Sequence, residues 1–402
     1  MSEIKDRYDH VIIGGGIAAD AAARAIHQRA PEASIAIISA DPHQPVYRPA
    51  LSKDLWSGDD PDPDSQALHT AEETGAELFT GTMVTDLLPA SHTVVTARGQ
   101  RVHYGTALLA TGASPRHLPG VKDPRVAYLR TVGDYRHLRD LATDGARVVV
   151  VGGGYIGTEV AAALTRTGAQ VTLAHSGQRL LACLFPESLT AHVEQVFTAR
   201  GITLRPGFRL ASIDTGHELV LHGEDGSTLT ADAVVLGLGA SLNTALAAPA
   251  HLTREGDAVV VDSQLRTSAA DVYAAGDIIW FEDPLLGRRR VEHVDHAQTS
   301  GDLAGRNMAG AGEDYTATPL FFSDLFDDGY EAVGELDTRH ETHEVWNQDR
   351  TAAVIHYLKD GAVRGVLLWN TWDSVPAARQ LIADSAGGAL STEEITARIQ
   401  PG

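Results

Sequence analysis

The apolar and polar positions of the chain fall into one pattern that occurs twice. The apolar run "HVIIGGG" breaks into glycines. It is followed by "IAADAAARAIHQRAP", whose apolar residues recur at helical spacing, and then by a second apolar run, "SIAIISADP". The same order restarts at Arg147 as "RVVVVGGG", "YIGTEVAAALTRTG" and "AQVTLAHS". Strand, glycine turn, helix and strand make a βαβ unit, and each unit predicts a parallel sheet.

Shorter strands and turns follow each unit. "ELFTGTMVTDLLPASHTVVTARGQRVHYGTALLATGASP" reads as a meander closing on "ALLATG". β material from Ile202 closes on "AVVLGLGAS", after the helix "SLTAHVEQVFTARG". The stretch "DPHQPVYRPALSKDLWSGDDPDPDS" reads as a Pro/Asp-rich surface loop, and "DVYAAGDIIWF" as a strand ending in Gly-Asp. From about Leu320 a third region carries the strands "EAVGELD", "AAVIHYLKD" and "AVRGVLLWN", then the helix "SVPAARQLIADS". The fold class is α/β, with two Rossmann-like domains, each with a β-meander, and an α+β C-terminal domain.

Composition narrows the function. The 402 residues suffice for two or three domains with cores of their own, and 43% hydrophobic with 21% charged residues is ordinary for a soluble globular protein. No apolar stretch approaches the roughly 18 residues needed to span a bilayer. The start "MSEIKDRYDHVIIGGG" lacks the features of a signal peptide, so a cytoplasmic location is expected. The single cysteine, Cys183, excludes an internal disulfide or a redox pair and is expected to be a buried structural thiol. A net charge of −21 disfavours nucleic acid, and it disfavours an acidic protein partner unless a local basic face exists. Arg288–Arg290 in "GRRRVEH" offer either such a docking patch or a solvated hairpin tip. No metal site is expected.

The glycines carry the chemistry. Gly152, Gly154 and Gly157 form GxGxxG between a strand and a helix. The first glycine permits the tight turn, the second lets the backbone approach a pyrophosphate, and the third lets the helix pack on the strand. The helix N-terminus then offers N–H groups to the phosphates. Gly14, Gly16 and Ala19 make the same device with alanine third. Two devices imply two dinucleotides, and the economical pair is a tightly held flavin with an exchangeable nicotinamide.

Seven stretches then resemble one known class: "YRPALSKDLW", "ALLATGASPR", "GGGYIGTEVAA", "VYAAGDI", "RRRVEHVDHAQTSGDLAGRNMAG", "FFSDLFDDGYEAVGELD" and "GVLLWNTWDSVPAARQLI". They are similar to FAD- and NAD(P)-dependent reductases of the glutathione-reductase structural class. Within it they resemble the ferredoxin-reductase branch and, most closely, bacterial relatives of apoptosis-inducing factor. The resemblance implies a discontinuous FAD-binding domain (1–115 and 241–316), an NAD(P)H-binding domain (116–240) and a C-terminal reductase-type domain (317–402). It implies that Gly14, Gly16, Ala19 and Arg48 hold the FAD pyrophosphate side, and that Thr111 and Gly112 close the FAD site. Asp277 would reach the ribityl chain or pyrophosphate. His293 and a helix beginning near His296 and Ala297 would lie by the pyrimidine edge, where a helix N-terminus stabilises negative charge. Lys53 and Glu159 match a pair that meets beside the flavin N5. Tyr155, beside Ile156 in the turn, would cover the flavin face until nicotinamide displaces it, and Gly239 would line the NAD(P)H side.

Three positions depart from that pattern. His175 stands where an acid normally bonds the ribose 2′-OH, with Ser176 and Arg179 nearby. That set can accept a 2′-phosphate, so the expectation leans to NADPH or relaxed specificity over NADH. In the first unit Ala40 replaces the analogous acid, leaving Asp41 for the adenosine ribose of FAD, and Phe322 stands where relatives carry a tryptophan near the flavin. The resulting expectation is an FAD-dependent NAD(P)H oxidoreductase passing electrons to a [2Fe–2S] ferredoxin, a quinone or oxygen. The alternative is a redox-responsive protein resembling apoptosis-inducing factor, with slow turnover, a long-lived reduced flavin–NAD(P) complex and altered self-association as a homodimer.

Overall fold

A computed structural model describes residues 3–57, 61–386 and 390–402. The chain divides into two compact units. The first comprises 1–48, 62–114 and 241–319; the second comprises 49–61, 115–240 and 320–402.

In the first unit the strand Arg7–Ile13 lies parallel to Ile35–Ile38 on one side and to Arg101–Leu109 on the other. Glu77–Phe79 extends the sheet beyond Ile35–Ile38, and Val272–Ala274 joins it along Arg101–Leu109. Val11, Ile12, Ile13 and the strand Ile35–Ile38 are apolar on both faces and buried, as a sheet covered on both sides requires. Thr93–Thr96 and Val84–Leu88 add an antiparallel meander.

The helix Ile17–Arg29 follows the first glycine turn and packs on the helix Val294–Met308. Small residues make this contact close. A Cβ on Gly301 would stand 2.4 Å from the Ala18 carbonyl oxygen, and one on Gly305 2.3 Å from that of Ala22. These two glycines are therefore packing requirements.

In the second unit a parallel sheet runs in the order Thr203–Pro206, Gln170–His175, Arg147–Val151, Ala233–Leu236, Val126–Ala127. The helices Tyr155–Leu164 and Glu187–Ala199 belong to it, and an antiparallel three-stranded meander spans Leu210–Ala231. A separate five-stranded antiparallel sheet holds Leu320–Leu325, Asp328–Gly334, Ala362–Trp369, Ala353–Lys359 and Glu341–Trp346, packed on the helix Val375–Ala386. Leu320–Leu325 and Glu341–Trp346 are strands that the hydrophobic pattern did not mark.

Two further expectations are corrected. The Pro/Asp-rich stretch is not simply a surface loop. A 3-10 turn, Arg48–Ser52, leads into the short helix Asp54–Ser57, and Ala50, Leu51, Ser52, Leu55 and Trp56 are buried. The Trp56 indole donates to the Leu51 carbonyl and meets the Tyr135 ring edge-on at 5.3 Å; residues 58–60 of that stretch lie outside the described residues. Cys183 is exposed, not buried. Leu181 takes a left-handed conformation, the Leu184 and Phe185 N–H groups both donate to its carbonyl, and the resulting turn sends Leu181 and Phe185 inward while Cys183 faces out.

Gly305→Val overpacks the interface between the helices Ile17–Arg29 and Val294–Met308, and it is expected to lower stability by about 1–3 kcal/mol. Urea unfolding should reveal this as a lower midpoint, against an unchanged midpoint for Gln298→Ala on the exposed face of the same helix.

Candidate nucleotide cradles and a buried ion pair

Each glycine of the second turn is there for a different physical reason. Gly152 has φ +130°, and a Cβ there would stand 2.3 Å from the Gly237 carbonyl oxygen. A Cβ on Gly157 would lie 1.8 Å from the carbonyl oxygen of Gly152, so only glycine lets the helix start directly over the strand end. Gly154 is unlike both. Its φ is −96°, and a Cβ there would meet nothing within 4 Å. The protein itself does not require glycine at this position, but a pyrophosphate resting on the helix N-terminus does.

The first turn repeats the logic. Gly14 has φ +126°, and a Cβ would stand 2.1 Å from the Ala110 carbonyl oxygen. Gly16 faces space bounded only by the Arg48 guanidinium at 3.9 Å, and Ala19 is fully buried in the third place. Both helices begin at a glycine N-cap with no side-chain cap, leaving their first N–H groups to a ligand. These cradles fit FAD and a nicotinamide dinucleotide.

Around the first cradle, Arg48 lies 3.7 Å from the Asp41 carboxylate, which also accepts from the His43 backbone and ring. Thr111 donates its hydroxyl to the Asn243 carbonyl at 2.6 Å, and Asn243 returns a bond to the Thr111 carbonyl at 3.0 Å. Gly112 takes φ +62° and accepts from the Asn243 N–H. Thr111 therefore ties segment 62–114 of the unit to segment 241–319. The strand seen in "DVYAAGDIIWF" is two strands, Val272–Ala274 and Ile279–Asp283, separated by a turn that buries Asp277.

The helix Val294–Met308 begins with His293 as N-cap, two residues before the expected start near His296. His296 is fully buried and stacks on Phe281 at 4.5 Å. Its Nδ1 is 2.9 Å from the Tyr315 hydroxyl, so its ring serves the interior. Ala297 follows it, partly buried.

In the second unit the structure brings Lys53 and Glu159 together. Nζ lies 2.6 Å from Oε1, and their side chains are only 11% and 5% exposed. Two hydroxyls that the sequence reading missed complete the shell: Ser52 donates to Oε2 at 2.6 Å and Ser323 to Oε1 at 2.5 Å. Three donors thus hold a buried carboxylate, as a charge taken out of water requires. Ser52 adjoins Lys53, but Ser323 is 164 residues from Glu159, a distance no local pattern spans. Asp324, beside this cluster, is pushed above the usual carboxylate range by burial.

Tyr155 opens the helix and packs on Phe321 at 4.3 Å. Burial and the neighbouring Glu159 push its phenol pKa up. Ile156 is exposed next to it. Phe322, adjacent to Phe321, sits half-buried in Leu320–Leu325, opposite Glu331. Gly239 has φ +88° and accepts from the Arg116 N–H.

At the end of Gln170–His175, the His175 side chain is buried and Ser176 exposed. Arg179 is paired with Glu194 at 2.8 Å and with Glu187 at 3.1 Å, so it is not the bare guanidinium that the 2′-phosphate expectation assumed. Nor are Arg288–Arg290 a bare basic patch. Arg288 pairs with Glu282, Arg289 stands 3.7 Å from Asp283, and Arg290 pairs with Glu292 on a hairpin with Ile279–Asp283.

Two glycine cradles on two parallel sheets, with a meander after each, define the class of two-dinucleotide flavoprotein reductases. Residues 8–301 match the family model for pyridine nucleotide-disulphide oxidoreductases, and the chain belongs to that family. It is 33% identical to the ferredoxin–NAD(+) reductase component of the anthranilate 1,2-dioxygenase system of Burkholderia cepacia, over 94% of each chain. It is 30% identical to a mitochondrial apoptosis-inducing factor 1 of Drosophila melanogaster over 93% of this chain, which spans 63% of that relative. Among solved structures it is similar to the ferredoxin reductase of the CYP199A2 system from Rhodopseudomonas palustris, with a TM-score of 0.87, 28% identity and 96% of each chain covered. With one cysteine the chain lacks the disulphide of the family's description. No helix among the described residues is long and apolar enough to cross a membrane.

Burial makes pH a test of this interior. Desolvation lowers the His296 pKa from 6.5 to about 3, and in the C-terminal sheet that of His356 to about 4. Below pH 6.5 these imidazoles bind protons in the unfolded chain but not yet in the fold. The unfolded state therefore binds more protons, and stability falls as pH drops through this window. Urea midpoints measured from pH 7 to 4 should decline, and His296→Phe should flatten that decline; an identical slope in the variant would contradict the assignment.

Proposed function

We propose that this protein carries electrons from NAD(P)H through bound FAD to a [2Fe–2S] ferredoxin. The observation that carries this reading is the pair of cradles whose central glycines, Gly16 and Gly154, front no packed protein backbone. When bound, the flavin accepts a hydride and releases electrons singly, which suits a one-electron acceptor. The relatives named as ferredoxin reductases, similar over almost their full length, support ferredoxin over quinone or oxygen. A cytoplasmic location belongs to the same reading.

The chain's own residues have distinct tasks. The N–H groups at the starts of Ile17–Arg29 and Tyr155–Leu164 hold pyrophosphates. Arg48 adds a cation beside Gly16. Asp41 meets the adenosine ribose of FAD, and Asp277 and the N-terminus of Val294–Met308 meet the rest of the flavin. Thr111 and Gly112 shape that site from behind. Glu159, fixed by Ser52 and Ser323, orients the nicotinamide carboxamide. Lys53 offers its ammonium to the flavin and pairs with Glu159, while Tyr155 yields its place to the nicotinamide.

Similarity to an apoptosis-inducing factor favours a second reading, in which turnover is slow and reduction changes self-association. Rapid cytochrome c reduction through added ferredoxin supports the first reading. A change in sedimentation on reduction, with negligible turnover, supports the second.

The purified protein should be yellow and release FAD on denaturation. Lys53→Met and Glu159→Gln each remove a charge-assisted bond and should slow anaerobic flavin bleaching by NAD(P)H about 10- to 100-fold. Stopped-flow traces unchanged in both variants would defeat the role assigned to the pair.

A further inference from the structure

The adenosine end of the second cradle departs from its usual design. The residue ending the second strand, normally an acid that bonds the ribose 2′-OH, is His175. Its side chain is 3% exposed, and neither ring nitrogen has a hydrogen-bond partner among the described residues. A buried imidazole with both nitrogens unused is costly unless something supplies a bond. The ring lies against the glycine turn, since a Cβ on Gly153 would stand 2.9 Å from its Cβ and Cγ. It also lines a cavity with Gln178, Glu194, Thr198 and Leu204. Burial lowers its pKa from 6.5, with Glu194 pulling the other way, so the ring is uncharged at neutral pH.

The cation nearby is already engaged. Arg179 Nη1 donates to Glu194 Oε2 at 2.8 Å, and Nη2 to Glu187 Oε1 at 3.1 Å. The two arms are unequal. Glu187 is 82% exposed, and a pair there contributes little. Glu194 is 18% exposed, and its Oε1 also accepts from the Leu180 N–H at 2.9 Å, so the carboxylate is fixed between two donors. One guanidinium and two carboxylates sum to −1, and a 2′-phosphate would add about two negative charges of its own.

We infer that Glu194 is a specificity-determining, positioning residue. It holds Arg179 away from the ribose, so that His175 meets a free 2′-hydroxyl and a 2′-phosphate finds no available cation. The inference rests on the second cradle being the nicotinamide nucleotide site. It reverses the NADPH leaning drawn from His175, Ser176 and Arg179 alone, because in the fold the arginine is latched.

The test uses the flavin-loaded full chain, whose first cradle is filled, and two probes: ADP-ribose and its 2′-phosphate. Isothermal titration gives both dissociation constants. Wild type should bind ADP-ribose more tightly. Glu194→Gln keeps an acceptor for Leu180 but releases Arg179, and it should improve the 2′-phosphate probe relative to ADP-ribose by about tenfold or more. Adding Arg179→Gln to that variant should abolish the gain. Arg179→Gln alone leaves Glu194 without its cation and should not improve the 2′-phosphate probe relative to ADP-ribose, which keeps the proposal testable if Glu194→Gln does not fold. An unchanged ratio in Glu194→Gln overturns the latch, as does a gain that survives loss of Arg179. A gain in 2′-phosphate binding relative to ADP-ribose in the single Arg179→Gln variant overturns it too. If wild type binds neither probe, the nucleotide assignment of the second cradle itself fails, a result distinct from the other three.

Discussion

The second nucleotide cradle depends on one close approach, a helix whose first turn is laid on the backbone at the end of its own strand. In the second unit this brings Gly157 so near the carbonyl of Gly152 that a single methyl group would stand 1.8 Å from the oxygen. Without that proximity the helix N-terminus would sit further from the sheet edge, and its uncapped N–H groups would not converge on one phosphate position. The glycine between them, Gly154, does nothing for the protein's own packing, which is why its presence speaks of a ligand. Steric necessity and ligand necessity are thus separable residue by residue within six positions.

The second organising feature is electrostatic. Glu159 is a carboxylate buried among an ammonium and two hydroxyls. Removing any one donor leaves the others to hold a charge in a medium that penalises it. The turn and short helix that carry Lys53 are anchored by Leu55 and Trp56, so the pair is held by packing and not only by its own attraction. The same economy governs Arg179, where a fixed carboxylate decides what a guanidinium is free to do.

Much of the architecture was legible in the chain. Two apolar runs broken by glycines, each with an alanine-rich helix behind it, specify two βαβ units, because the 3.6- and 2-residue periods and the glycine stops are local properties. The Lys53–Glu159 encounter was legible only through resemblance, and Ser52 and Ser323 were not legible at all. Hydroxyls are common, and nothing in their neighbourhoods marks them. The strand Glu341–Trp346 was missed because its burial alternates weakly at a sheet edge.

By itself the sequence determined the number of cradles, their order and the glycines that build them, since turn geometry and helix starts depend on residues within a few positions of one another. The tertiary structure alone decided which charges are spent. It turned His296 inward onto Phe281, exposed Cys183, paired the three arginines of the hairpin and fastened Arg179 to Glu194. The reason is physical. A side chain's charge, exposure and hydrogen bonds depend on groups brought near it from elsewhere in the chain, and that proximity exists only once the fold has formed.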